Sequence, residues 1–188
     1  MDEGKISELE RWIYSNDILE TQLEADDFLD LISIDFSKSS ARFLAAEIFR
    51  KNISADEFLT WKISQILERV INRVDGVHSE ILEIYQLYCS GYSFLGKLGM
   101  DYGLSIAAPS PLYDKWGDLA LSDQIRRLDG FYPEIVAHAQ RALDCIQQGE
   151  IEFSGNEIDN LLHPLPPEPK FLDRRSDENK KAMSVNVI

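Results

Sequence analysis

The sequence predicts an all-α protein, a single-domain bundle of seven or eight helices of modest length. Three observations carry that expectation. Apolar residues recur three and four positions apart through most of the chain, which draws one stripe along a helix. Start and stop signals divide the chain at helix-like intervals, the clearest being "SADE" at 54–57 and "DG" at 75–76. Apolar residues make up 44% and charged residues 28% of 188, an ordinary globular balance. A chain this long buries roughly 70% of its unfolded surface and needs no metal or disulfide to fold. Residues 1–160 read as the helical domain and 161–188 as a Pro-rich, charged C-terminal tail.

Taken in order, "KISELERWIYS" sets Ile6, Leu9 and Ile13 on one stripe with Trp12 beside it. In "DILETQLEADDFLDLISIDF", Phe28, Leu31 and Ile32 have helical spacing, and Leu29 adds a second apolar edge. "SKSSARFLAAEIFRKN" offers a Ser cap and then Leu44, Ala45 and Ile48. Ser54 and Glu57 form a capping box ahead of Ile63, Ile66, Leu67, Val70 and Val74. Gly76 is the expected left-handed residue that ends this helix. Ile81, Ile84, Tyr85 and Tyr88 mark the next.

Glycines interrupt "GYSFLGKLGMDYGLSIAAPSP", so short helical pieces, turns and close helix packing are expected there. Ser122 is a candidate cap for a short helix through Ile125 and Leu128. Pro133 and Glu134 suit the first turn of a further helix, whose face is Ile135, Val136, Ala139, Leu143 and Ile146 and whose stop is Gly149. "EIEFSG" alternates, which reads as one short extended segment near 150–154. Four prolines and a charged run then make up the tail.

The net charge of −14 argues against a general nucleic-acid binder or an anionic membrane surface as partner. Cys89 and Cys145 form no CxxC pair and sit among apolar helical residues, which reads as two buried free thiols. "MDEGKISELE" has neither the basic nor the apolar region of a signal peptide, and no stretch approaches 18 apolar residues. A cytoplasmic location is expected.

One motif invites a metal. "ADDFLD" at 25–30 sets Asp26 and Asp30 one helical turn apart. This is the DDxxD pattern with which helical prenyl-diphosphate enzymes hold Mg²⁺. Asn72, Gly76 and Glu80 make a formal match to the second acidic element of such enzymes. That element works only on a continuous helix, and "DG" predicts a break within it. Residues 17–36 also hold seven acids and no Lys or Arg, a run in which carboxylates one turn apart arise easily. His78, His138 and His163 lie far apart and make no metal motif. No metal, cofactor or catalytic residue is expected.

"LERWIYSND", "DDFLDLISIDF", "GYSFLGKLGMDYGLSIAAP" and "FYPEIVAHAQRALDCIQQGEIEFSG" together resemble a family of small bacterial immunity proteins, those of polymorphic-toxin and contact-dependent growth-inhibition systems. The resemblance spans about residues 7–155. It implies a non-enzymatic protein that binds and neutralises a cognate toxin domain, such as a nuclease with a basic channel. The partner-binding candidates are then Asp17, Glu20, Glu24, Asp26, Asp27, Asp30 and Asp35, with Tyr14, Tyr113 and Trp116 as aromatic anchors. The expected partner is a basic toxin protein, with no direct nucleic acid and no membrane. The alternative is an acidic helical adaptor or regulator of another protein; a Mg²⁺-dependent diphosphate enzyme using residues 26–30 comes third.

Overall fold

The computed structural model describes residues 3–109, 113, 115–153 and 171–183. They are mostly helical, as the periodicity predicts, and the helices are more numerous and shorter than seven or eight. Two compact units divide the chain, residues 1–54 and 55–188.

The first unit holds α1 (Glu3–Ser15), α2 (Ile18–Gln22), α3 (Ala25–Ile32) and α4 (Ala41–Asn52). Its core is Ile13, Leu19, Leu31, Phe36, Ala41 and Ala45, with Ile6, Leu9, Phe28 and Ile48 packed against it. Leu23 and Glu24 are extended and separate α2 from α3. The buried stripe of α4 starts at Ala41 and passes through Ala45. Leu44, expected on that face, lies outward instead. Ser40 stands at the N-cap without a side-chain cap bond.

In the second unit, α5 (Ala55–Ile71) starts directly after Ser54 and buries Ile63, Ile66, Leu67 and Val70. Its end differs in detail from the expectation. The left-handed residue that stops it is Arg73, with φ 46°, where the Val74 N–H reaches back to the Arg69 carbonyl at 3.2 Å. Gly76, also left-handed at φ 76°, instead precedes α6 (Val77–Cys89). Arg73 lies 4.7 Å over the Tyr132 ring and pairs with Asp129, contacts that offset the cost of a positive φ at a residue with a Cβ.

After a 3₁₀ turn at Ser93–Leu95, one helical run follows: α7 (Gly96–Leu98), a π turn (Gly99–Gly103) and α8 (Leu104–Ala107). The glycines here serve close packing. A Cβ on Gly99 would stand 2.8 Å from Tyr88 Cβ, and one on Gly103 would stand 2.6 Å from Tyr85 Cβ. Another 3₁₀ turn (Trp116–Asp118) leads to α9 (Leu121–Phe131), which begins one residue before Ser122. α10 (Glu134–Gln147) buries Ile135, Ala139, Leu143 and Ile146 against α5 and ends at Gly149, φ 69°.

The extended segment is β1 (Ile151–Phe153), and its partner lies in the expected tail. β2 (Phe171–Asp173) pairs with it antiparallel, Ile151 facing Asp173, and α11 (Asp177–Met183) follows. Residues 171–183 are therefore not an unstructured charged tail. Phe171 joins Tyr92, Phe94 and Phe153 in an aromatic cluster whose neighbouring ring centroids lie 5.5–6.5 Å apart, and Met183 is buried. The four prolines and residues 184–188 lie outside the described residues. No helix among the described residues is long and apolar enough to cross a membrane.

Candidate functional site

The acidic run is split by the helical period. On α3, Asp27 lies one turn before Leu31, and both are buried. Asp26 and Asp30 share the outer face. Asp27, a partner-binding candidate, is only 5% exposed and is no surface contact. Its Oδ1 accepts from Lys51 Nζ at 2.7 Å and its Oδ2 from Asn52 Nδ2 at 2.8 Å. Both oxygens are committed to the last turn of α4. The hydrogen bond from Lys51, then that from Asn52, holds the Asp27 carboxyl below its ordinary pKa. Leu29, the second apolar edge, is 56% exposed beside the outer carboxylates.

Asp17, Glu20, Glu24 and Asp35 are exposed with Asp26 and Asp30. Asp35 accepts from the Ser37 hydroxyl at 2.6 Å and the Ser37 N–H at 3.1 Å, which lowers its pKa. A cleft of about 440 Å³ opens between the end of α3, the following turn and α4, with Asp30, Asp35 and Glu47 around Ile34, Leu44 and Ile48. Lys38 also lines it and lies 3.4 Å from Asp35. Exposed apolar side chains crowd the same unit: Tyr14, Ile18, Leu29, Phe43 and Leu44. The Tyr14 hydroxyl donates to the Ile32 carbonyl at 2.8 Å.

The aromatic candidates of the second unit divide. Tyr113 is 41% exposed and available as a contact. Trp116 is 7% exposed and belongs to the core, so it is no surface anchor. The 3₁₀ turn lays its ring against the start of α6, stacked on His78 with centroids 6.1 Å apart. Its Nε1–H is covered and has no hydrogen-bond partner among the described residues. The acidic candidates and these two aromatics belong to different units.

The diphosphate pattern loses its parts. Asp27 is occupied. α5 stops at Ile71, and Arg73 and Gly76 turn the chain before Glu80, which pairs with Arg69 at 2.7 Å. The expected helix break between Asn72 and Glu80 is there. Among the described residues, no group of three or more His, Cys, Asp or Glu is placed to hold a metal ion.

His138 is half-buried 6.1 Å from the Tyr102 ring, with Nδ1 covered and without a partner among the described residues; burial, then Lys97, lowers its pKa. His163 lies outside the described residues. Cys145 is buried, and burial pushes its thiol up to about 11. Cys89, expected to be buried, is exposed on α6, because the inward stripe there runs through Ile81, Ile84 and Leu87.

This geometry separates the three aspartates experimentally. Asp26→Asn with Asp30→Asn is expected to leave thermal melting unchanged. Asp27→Asn is expected to lower the melting temperature of residues 1–54, because Lys51 loses a charged partner. The Asp27 carboxyl has a depressed folded pKa, so its contribution is present above the unfolded value of about 3.9 and is lost as pH falls through the folded value. Melting curves at neutral and acid pH check this: the gap between wild type and Asp27→Asn should close in acid.

No family model, no curated protein and no solved structure matches this chain.

Proposed function

We propose that this chain is a non-enzymatic immunity-type protein that binds and neutralises a basic toxin domain. The observation that supports this reading is the set of exposed side chains in the 17–36 run. Asp17, Glu20, Glu24, Asp26 and Asp30 are each exposed, as are Ile18 and Leu29; no Lys or Arg interrupts the run in sequence, and Lys51, paired with Asp27, is the cation that reaches it from α4. Carboxylates steer a basic partner into encounter, and apolar side chains beside them supply area to desolvate once it arrives. An acidic adaptor for another basic protein would use the same side chains.

A growth assay separates the two. The product of the gene adjacent to this one is expressed alone and with this chain. Growth arrest relieved by co-expression is the expected result, together with a stable purified complex. Asp26→Asn/Asp30→Asn should slow association, most visibly at low salt. An adjacent product that is harmless, or whose toxicity this chain does not relieve, removes the immunity reading and leaves the adaptor.

A further inference from the structure

The second unit carries a cleft of about 520 Å³ between the first half of α6, the end of α8 and the turn at Lys115–Gly117. Its floor is apolar, made by Leu82, Ile106 and Ala107. One wall is the stacked pair of His78 and Trp116, 20° from parallel.

The polar side chains lining it among the described residues are His78, Ser79, Tyr85, Gln86, Gln124 and Lys115, with Lys115 the one lysine or arginine. Lys115 Nζ pairs with no carboxylate among the described residues. The Trp116 indole N–H is covered and has no acceptor among the described residues. One carboxylate, Asp118, lies beside Lys115, and two on α6 pair with other cations. Asp118 accepts from the Lys115 backbone N–H at 3.1 Å. Glu80 holds Arg69 at 2.7 Å, and Glu83 holds Lys62 at 2.8 Å. In a chain of net charge −14, this cleft thus presents a cation and apolar surface together.

We propose that the cleft binds a small planar organic anion, an aromatic ring carrying one carboxylate. The ring lies on the Leu82–Ile106 floor beside the His78–Trp116 wall, and the carboxylate meets Lys115. The volume falls within the range of about 300–1,000 Å³ typical of small-molecule sites. A bare inorganic anion leaves the floor unused, and a neutral ring leaves Lys115 unpaired. The acidic side chains proposed to meet a toxin lie on the other unit, so this inference stands apart from the immunity reading.

The test uses the full ¹⁵N-labelled chain and follows the three indole N–H resonances during titration with 2-naphthoate, 2-naphthamide or inorganic phosphate. Trp12→Phe and Trp61→Phe, both at exposed positions, assign the signals. At millimolar 2-naphthoate the Trp116 signal should shift while those of Trp12 and Trp61 stay. The amide should bind about fivefold more weakly, the worth of one partly screened ion pair. Lys115→Gln should abolish that preference and leave the amide affinity unchanged. An unmoved Trp116 signal, equal affinity for acid and amide, or an equal response to phosphate would overturn the proposal.

Discussion

Asp173→Ala is expected to destabilise the second unit by about 3 kcal/mol. Arg175 is 6% exposed, and its guanidinium is held on two sides by one carboxylate. Nε donates to Asp173 Oδ1 at 2.9 Å and Nη2 to Oδ2 at 2.8 Å. Among the described residues its remaining terminal nitrogen meets Met183 Sδ, at 3.1 Å. Removing the carboxylate leaves a buried cation facing a thioether. The low end of the roughly 3–5 kcal/mol range for a broken buried pair applies, because the Asp173 side chain remains 24% exposed.

Urea unfolding at neutral pH gives the loss directly. Arg175 holds the Asp173 carboxyl below its usual range. A depressed folded pKa means the contribution is complete above the unfolded value of about 3.9 and disappears as pH falls through the folded one. Wild type should therefore lose stability in acid faster than Asp173→Ala does. Parallel acid profiles would show that Asp173 contributes packing and not charge.

Gly103→Ala is expected to destabilise by about 1–3 kcal/mol through overpacking. Two effects compete. Removing a helical glycine gains about 0.5–1 kcal/mol of chain entropy. Against that, the new Cβ would stand 2.6 Å from Tyr85 Cβ, 3.0 Å from the Ile81 carbonyl oxygen and 3.3 Å from Tyr85 Cα. Two of those three atoms are backbone and the third is a Cβ, so no rotamer change relieves the contact. The π turn must separate from α6, and the steric cost outweighs the entropy. Gly130→Ala in α9 is the control, since a Cβ there meets nothing within 4 Å and only the entropic gain remains. If Gly103→Ala melts at or above the wild-type temperature, the close approach of the π turn to α6 is wrong.

Much of the second unit could be read from one dimension. α5 and α10 carry four or more apolar residues on a single stripe, and a stripe that long leaves only one face to bury. Gly149 and the short strand at 151–153 followed from equally local signals. α3 was different. It has eight residues with apolar side chains on both flanks of its aspartates, so its period fits two orientations. The choice fell to Lys51 and Asn52, more than twenty positions away, which draw Asp27 inward and leave Leu29 outside. Trp116 was misplaced for a related reason. A single aromatic beside a glycine has no period, and only the turn at 116–118 sets its ring against His78.

The sequence by itself determined the helical class, the strongest helix stripes and the acidity of residues 17–36, because each is a property of neighbours within one or two turns. The tertiary structure alone decided which aspartate is buried, which cysteine is exposed, that Phe171 packs against the core and that Arg175 and Met183 are buried. Those outcomes depend on partners brought together from distant parts of the chain. Helical periodicity places a side chain on a face; it does not say what that face will meet.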